Sequence, residues 1–390
     1  MFSSRFHWDL RPNRLTQLLQ ERRRAGARIL DLTESNPTQA GFSYPAAIRE
    51  ALAGPQMLKY DPSPAGSMSA REAVARYYGA RQQAVDPRQI LLTASTSEAY
   101  AYIFKLLTNP GDQVLVPRPS YPLFEFLADM ESVEIRQYPL AYHAGWSIDL
   151  DALAAAITDR TRGIILVNPN NPTGSFVKRA EMAALTRLAA PRGLALISDE
   201  VFADYAFGSD CDRVAMIAAQ SECLAFSMGG LSKAAGLPQL KLGWLVCGGP
   251  EMQRQEAFEK LEWIADTYLS VGTPVQCAAP RLLEIGQDVQ RQIRERIGAN
   301  LEFARGKLRE SAATLLEVEG GWYLTLRMPR IRGEEEWSLD LLASCGVLVQ
   351  PGYFYDFESE AFLVVSLLTA PGVFQEGVSR LAGFVLASCS

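Results

Sequence analysis

The chain has 390 residues, of which 48% are apolar and 21% are charged, and its formal net charge is −6. These values are typical of a globular protein with about two or three domain-sized units, and the acidic balance argues against binding to nucleic acid or to an acidic membrane surface. No stretch has the length and apolarity of a signal peptide or a membrane span, which favours a cytoplasmic protein.

The six cysteines are scattered without CxxC spacing. This pattern predicts free thiols in a reducing compartment, several of them buried, and disfavours a disulfide framework or a zinc site. The only histidines are His7 and His143, and this small number argues against a metal site or a catalytic triad built on histidine. We therefore expect no metal.

Strand-like and helix-like stretches alternate along the first two thirds of the chain. Helices are predicted at 12–26, 67–78, 97–107, from 122 onwards, and at 178–189. Largely apolar runs predict strands at 90–93, 113–117, 163–168, 194–198, 223–228 and 243–249, and a further extended run is predicted at 133–140. This alternation favours an α/β fold, with a doubly wound, mostly parallel sheet between two layers of helices.

The last third of the chain has a different pattern. Two long helical stretches are predicted at 251–270 and 288–311, and they separate the first sheet from the C-terminal region. The final eighty or so residues predict a smaller α+β unit, with strands near 320–326, 347–350 and 361–367 and a closing helix after Pro371.

Small, polar or charged side chains follow five consecutive strands of the predicted sheet. In open α/β sheets, ligands bind beyond the carboxyl ends of the strands. The groups at these ends are Ser95 with Thr96, Tyr121, Asn171, Asp199 and Lys233. Lys233 lies in a loop of small residues, which leaves room around its amine for a covalent imine with an aldehyde cofactor.

Each of these residues also has an ordinary structural role open to it. Ser95 and Thr96 could cap a helix, and Tyr121 could belong to the core or the surface. Asn171 could be a turn residue, Asp199 could form a cap or an ion pair, and Lys233 could be a surface lysine. As a set, an anion site, a ring stacker, an amide donor, a buried carboxylate and an accessible lysine meet the requirements of pyridoxal phosphate.

Three motifs then resemble, in their order along the chain, those of the class I/II aminotransferases, which are fold-type I pyridoxal-phosphate enzymes. They are Asn171-Pro172-Thr173-Gly174, the pair Asp199-Glu200, and Ser232-Lys233 followed by Gly236-Leu237-Pro238. The resemblance covers about residues 28 to 385. It implies a large cofactor-binding domain at 50–285 and a small domain formed by both chain ends, with an N-terminal arm and part of that domain at 1–49 and the rest at 286–390.

The resemblance also implies a role for each matched residue. Lys233 would form the internal aldimine and move the proton, and Asp199 would pair with the ring nitrogen. Asn171 would donate to the ring oxygen, Tyr121 would stack on the ring, and Ser95 and Thr96 would hold the phosphate. Tyr60 would reach the phosphate of a neighbouring subunit, so a homodimer with shared active sites is expected.

Three positions around the cofactor depart from the family pattern. Phe202 stands where a tyrosine usually gives a second donor to the ring oxygen, which should leave the aldimine more basic. Lys241 replaces the usual phosphate arginine and keeps its charge without the bidentate fork. Gly230 replaces a serine, for which Ser227 or Ser232 could compensate.

A fourth departure concerns the substrate. In the strand 362–367, Val364 occupies the position of an arginine that usually binds the substrate carboxylate, and valine cannot make a charge-assisted pair. Either another cation takes the carboxylate, with Arg118 and Arg5 as candidates, or the substrate is not an ordinary α-amino acid.

These observations leave three hypotheses. The first is an aminotransferase that moves an amino group from an amino acid or other amine to a keto acid by a ping-pong mechanism. The second is a related lyase, decarboxylase or oxidase acting on an atypical amine, since fold does not decide among these outcomes. The third, a regulatory module without turnover, is disfavoured because no basic helix-turn-helix unit precedes residue 30.

Overall fold

The structure is a computed structural model and describes residues 2–3, 5–9, 11–219, 222–359 and 361–389. Its helices are α1 (Arg14–Arg24), α2 (Ala47–Ala51), α3 (Met68–Gly79), α4 (Thr96–Leu107), α5 (Leu123–Met130), α6 (Leu150–Ala156), α7 (Arg179–Ala189), α8 (Leu231–Ala234), α9 (Glu251–Tyr268), α10 (Thr273–Leu308), α11 (Glu334–Asp340) and α12 (Pro371–Cys389). Its strands are β1 (Leu30–Asp31), β2 (Ile90–Thr93), β3 (Gln113–Arg118), β4 (Glu134–Tyr142), β5 (Trp146–Ile148), β6 (Thr161–Val167), β7 (Ala195–Asp199), β8 (Ala225–Gly230), β9 (Gly243–Gly248), β10 (Thr314–Leu315), β11 (Tyr323–Arg327), β12 (Val347–Leu348), β13 (Gln350–Pro351) and β14 (Phe362–Ser366).

The large sheet has eight strands in the order β2-β9-β8-β7-β6-β3-β4-β5. The pairs β8–β7, β7–β6, β6–β3 and β3–β4 are parallel, whereas β9 runs antiparallel to both β2 and β8. Its central strands are buried on both faces, as their unbroken apolar runs predict. The predicted α/β fold with a doubly wound, mostly parallel sheet is therefore confirmed.

A smaller antiparallel sheet, in the order β10-β11-β14-β13, forms the second unit. The N-terminal region joins this unit, because β1 pairs in parallel with β12, with Leu30 opposite Val347 and Asp31 opposite Leu348. The predicted small domain therefore contains segments from both ends of the chain.

Helix α10 is longer than the sequence pattern predicts. It begins at Thr273, whereas the expected stretch began at 288, and Pro280 lies inside it. A proline in a helix interior costs about 3 kcal/mol, which is why the pattern alone favours a break. Burial of apolar side chains on both sides of Pro280, among them Ala279 and Leu283, offsets this cost. The predicted boundary at 285/286 falls within this helix, and the division into domains stays a prediction.

Two further predictions concern cysteines and membranes. None of the six cysteines, all of which are described, forms a disulfide, and Cys223 and Cys247 are buried, so the prediction of thiols outside a disulfide framework is confirmed. Among the described residues, no helix combines the length and the apolarity that a bilayer crossing requires.

Candidate active site

Lys233 lies directly beyond the carboxyl end of β8, in the short helix α8. The strand ends in Gly229 and Gly230, and a Cβ atom at Gly229 would lie only 2.7 Å from Nε1 of Trp244, so only glycine fits there. The backbone of Lys233 is fixed because the Tyr205 hydroxyl donates to its carbonyl oxygen at 2.6 Å. The lysine amine is thus held at the rim of the sheet.

Lys233 and Asp199 interact electrostatically within the cleft. Burial lowers the pKa of the Lys233 amine to about 8, although the negative charge of Asp199 opposes this shift. Burial raises the pKa of Asp199 to about 6. A hydrogen bond from the Val201 N–H at 3.1 Å and the positive charge of Lys233 act in the opposite direction and lower this pKa. An amine with this pKa is neutral in a larger fraction of molecules near pH 7, which makes it a nucleophile and a base.

Glu200, the next residue, has a different environment. Its Oε1 accepts hydrogen bonds from the Ile217 N–H at 2.9 Å and from the Ser227 hydroxyl at 2.7 Å, and burial raises its pKa to about 7. Because Ser227 is engaged with Glu200, Ser232 is the remaining candidate to replace the serine absent at position 230. Ser232 lies half-buried next to Lys233 in α8.

Asn171 lies in the turn that follows β6, and its peptide bond to Pro172 is cis. The side chain is 7% exposed, and its Oδ1 has no hydrogen-bond partner in the described part of the chain. The turn is held by Asn168, whose side chain donates to the Val214 carbonyl at 2.8 Å and accepts from the Val177 N–H at 3.0 Å. A buried amide with a free oxygen is available to a ligand.

Tyr121 is 46% exposed, and its phenol lies within electrostatic reach of Asp199. Burial and the negative charge of Asp199 both raise the pKa of its phenol. Its ring therefore remains neutral at ordinary pH, as stacking on a flat ligand requires.

The N-terminus of α4 lies at the same edge of the sheet. The Ser95 hydroxyl caps this helix by accepting the Glu98 N–H at 3.2 Å, so the structural alternative for this side chain is realised. The first turn still leaves backbone N–H groups at Thr96 without helical acceptors, and these favour an anion. A Cβ at Gly243 would lie 3.0 Å from the Ser95 carbonyl carbon, so the start of β9 packs against this end of the helix, and Lys241, two residues earlier, is exposed.

Phe202 lies beside the Lys233 amine, whereas Tyr60 lies at the surface of the chain. Phe202 is buried, and its ring centroid is 5.4 Å from the Lys233 amine, where a tyrosine would present a hydroxyl to the cleft. Tyr60 is 71% exposed and lies at the surface beside Leu269 and Ser270.

Two residues near the amine and carboxylate were not identified from the sequence. The ring of Trp322 lies 4.5 Å from the Lys233 amine, because the Gly321 N–H donates to the Tyr205 carbonyl at 2.9 Å and draws this segment to the cleft. Tyr100 is buried, and its hydroxyl has no hydrogen-bond partner among the described residues. Burial raises the pKa of this phenol, and the negative charge of Asp199 raises it further. Its position one helical turn after Thr96 is a signal that could have revealed it.

This geometry fits the cofactor that the sequence predicts. The amine and the carboxylate lie within mutual electrostatic reach, the buried Asn171 amide carries an Nδ2–H2 group that can donate to a ring oxygen, and a helix start offers N–H groups for a phosphate. Lys233 would hold the aldehyde carbon, Asp199 the ring nitrogen, Asn171 the ring oxygen, and the start of α4 the phosphate.

Comparisons with known proteins agree with this site. The family model described as aminotransferase class I and II matches residues 27–380. The glutamate-pyruvate aminotransferase AlaA of Escherichia coli K12 is 28% identical over 373 residues, which cover 92% of this chain and 91% of that protein. The tyrosine aminotransferase of Mus musculus is 27% identical over 372 residues, covering 91% of this chain and 80% of the relative.

Solved structures show the same fold. An alanine aminotransferase from Pyrococcus furiosus superposes with a TM-score of 0.89 at 23% identity, covering 99% of each chain. These matches show the pyridoxal-phosphate fold type I and a transaminase that depends on this cofactor, and they do not favour the lyase, decarboxylase or oxidase alternative. The chain belongs to the class I and II aminotransferase family.

Proposed function

We propose that this aminotransferase works through Lys233, Asp199 and Asn171, with the start of α4 and Lys241 at the phosphate. The observation that carries the proposal is the Lys233 amine, which lies at the cleft with a pKa of about 8 within reach of the Asp199 charge. The amino donor is an amino acid or another amine, and the acceptor is a keto acid. The cycle is ping-pong, with each half-reaction in the same cleft.

Each residue of the proposed site has a role that follows from the chemistry of its side chain. The bound cofactor supplies an aldehyde carbon and an electron-withdrawing ring. Lys233 Nζ would hold that carbon, and once the substrate amine has displaced it, the freed amine would carry the proton of the substrate carbon that bears the nitrogen. Asp199 would keep the ring nitrogen protonated, because a carboxylate stabilises a neighbouring cation in a desolvated site. Tyr121 would orient the ring by stacking.

The proposed assembly is a homodimer. Several large apolar side chains are exposed, among them Leu58, Tyr60, Trp263, Tyr268 and Leu269, and Tyr60 and Leu269 line the same surface pocket. Exposed apolar side chains grouped in this way are typical of a surface that a second protein copy covers. In such a dimer Tyr60 would reach the phosphate site of the partner, which accounts for its exposure in the single chain.

Mixed dimers test the sharing of active sites. The variants Lys233→Ala and Tyr60→Ala should each be impaired alone, because each lacks one part of both sites. Random mixing would restore about a quarter of the parent activity, since half of the dimers are mixed and one of their two sites is complete. If subunit exchange is verified and no activity returns, the proposal that the two subunits share their active sites is contradicted.

The proposed location is the cytoplasm, and the proposed setting is amino acid metabolism. Six free thiols suit a reducing compartment.

The reaction itself is tested by mixing the enzyme with a panel of amines and following the absorbance of its cofactor. We expect conversion to the amine form of the cofactor, followed by recovery when a keto acid is added and appearance of the matching amino acid. Release of ammonia, carbon dioxide or peroxide without that conversion would contradict the proposal.

A further inference from the structure

The aromatic ring of Trp322 lies against the Lys233 amine. The amine is placed over this ring, 4.5 Å from its centroid, and also over the ring of Phe202, 5.4 Å from that centroid. The Trp322 side chain is fully buried, so water does not screen the contact. The face of an aromatic ring carries partial negative charge and attracts a cation within about 6 Å, and tryptophan does so most strongly. The ammonium form of Lys233 therefore has an attractive neighbour in addition to Asp199.

Neighbouring side chains and the backbone fix the orientation of the Trp322 ring. Its centroid lies 5.2 Å from that of Phe202 and 5.1 Å from that of Tyr205, and both pairs are edge-to-face. The Leu367 N–H donates to the Trp322 carbonyl oxygen at 2.7 Å, which ties this residue to the end of β14. Turning the ring away from the amine would break these contacts.

Close backbone packing brings the segment before β11 to the end of β8. A Cβ atom at Gly320 would lie 2.8 Å from the Tyr205 carbonyl oxygen, so only glycine fits at this position. The Tyr205 hydroxyl donates to the Lys233 carbonyl oxygen at 2.6 Å. Tyr205 thus contacts both the Trp322 ring and the Lys233 backbone, and it fixes the ring relative to the lysine.

The titratable groups around this amine differ in their effect on it. Asp199 attracts the ammonium form of Lys233, whereas burial disfavours that form. Burial raises the pKa values of the Tyr205 and Tyr323 phenols, so both remain neutral at ordinary pH. Glu200 accepts one backbone and one hydroxyl hydrogen bond on the other side of β7 from its neighbour Asp199.

The freed amine needs a partner other than Asp199 once the cofactor is bound, because Asp199 would then pair with the ring nitrogen. We propose that the Trp322 ring holds the Lys233 ammonium by a cation–π interaction and so positions the amine for the proton that it would carry. The substrate carbon loses this proton, the lysine nitrogen gains it, and the same nitrogen later releases it. This inference deepens the proposed function at Lys233 and rests on it. Trp322 is thus a positioning residue that acts through Lys233.

The first test measures the protonation of Lys233 in the cofactor-free full chain. Trace acetic anhydride acetylates only neutral amines, and peptide mass spectrometry gives the extent of labelling at Lys233 relative to the exposed Lys307 at each pH. Fluorinated tryptophan, incorporated only at position 322, keeps the shape of the ring and withdraws negative charge from its face. Because a weaker attraction destabilises the ammonium, we expect the pKa of Lys233 to fall stepwise with added fluorine, by about one unit in all.

Ordinary substitutions extend this measurement. Trp322→Phe keeps a weaker aromatic face and Trp322→Leu keeps only apolar surface, so we expect the pKa of Lys233 to fall from the parent to the first variant and again to the second. Trp337→Phe is the matched control, because Trp337 is equally buried and has Arg332, not Lys233, over its ring at 5.0 Å. The control should leave the pKa of Lys233 unchanged.

A second test uses the holoenzyme and follows a single turnover with the best amine. The amine is used in its ordinary form and with deuterium on the carbon that bears its nitrogen, which identifies the step that moves the proton. A displaced lysine amine slows this step in particular, so we expect the deuterium-sensitive step to be about tenfold slower in Trp322→Leu than in the parent. Trp337→Phe should retain the parent rate.

Two results would overturn the proposal. One is a Lys233 pKa that stays constant or rises as position 322 is fluorinated, and the other is a deuterium-sensitive step that keeps the parent rate in Trp322→Leu. Failure of the underlying function is distinct, because the protein would then show no cofactor absorbance dependent on Lys233. A protein with that absorbance and a pKa insensitive to fluorine loses only the inference about Trp322.

Discussion

The large-domain wall of the cleft and the small antiparallel sheet differ in the charge that they carry. The large-domain wall holds a buried amine and a buried carboxylate, Lys233 and Asp199, with pKa values of about 8 and about 6. In the small sheet, the paired residues Thr325, Val364 and Gln350 are uncharged. The comparison indicates that the charged groups of the candidate site lie at the ends of parallel strands, whereas the paired positions of the second sheet are uncharged.

The largest expected effect of a substitution lies on the charged wall. Asp199→Asn should slow amino transfer by about 10³-fold or more, because a neutral amide cannot hold a proton on the ring nitrogen. Single-turnover absorbance with the best amine measures this rate. Glu200→Gln is the matched control, since Glu200 contacts Ser227 and Ile217, and a loss below tenfold for Asp199→Asn would contradict the assigned role.

The pH dependence of cofactor uptake tests the amine on the same wall. Burial favours the neutral form of Lys233, so the amine loses its proton as the pH rises through about 8. The rate at which the cofactor-free protein takes up pyridoxal phosphate should therefore increase up to about pH 8 and then level off. A lysine with the ordinary pKa of about 10.4 would give an uptake rate that keeps rising well above pH 8. Stopped-flow absorbance distinguishes these two pH profiles.

Phe202→Tyr would add a hydroxyl to the charged wall. A phenol near the ring oxygen should stabilise the deprotonated form of the bound cofactor, which lowers the apparent pKa of its visible absorbance by about one unit. An absorbance titration of the holoenzyme measures this change, with Phe202→Leu as a control that removes the ring without adding a donor. An unchanged titration for the tyrosine variant would show that position 202 does not reach the cofactor.

The smallest effect on catalysis is expected behind this wall, at Ser227→Ala. Ser227 donates to Glu200 at 2.7 Å and accepts the Ala218 N–H at 3.0 Å, and the side chain is fully buried. Its loss should lower the free energy of unfolding by about 1–3 kcal/mol, while the rate of amino transfer changes less than about twofold. Urea unfolding measures the first quantity, and the exposed Ser209→Ala is the control.

Much of the charged wall could be predicted from the sequence. Apolar runs such as 163–168 and 194–198 are strong signals for buried strands, and parallel topology brings the residues that follow them to one edge. That is why Asp199 and Lys233, 34 positions apart in the printed sequence, could be paired in advance. Their contacts with the cofactor remain predictions.

Other features depend on tertiary packing that no local pattern reveals. The start of α10 lies at Thr273 because buried apolar contacts outweigh Pro280. Trp322 reaches Lys233 through a backbone contact between Gly321 and Tyr205, which are far apart in sequence. The register that places Thr325 opposite Val364 also follows from pairing of distant strands.

Reduction of the holoenzyme with borohydride, followed by peptide mass spectrometry, tests the central claim most directly. Reduction fixes the cofactor to the amine that holds it, so a pyridoxyl group is predicted on Lys233, with no label at this position after Lys233→Ala. A label on another lysine of the site, such as Lys241, or no covalent label in an active enzyme, would contradict the account.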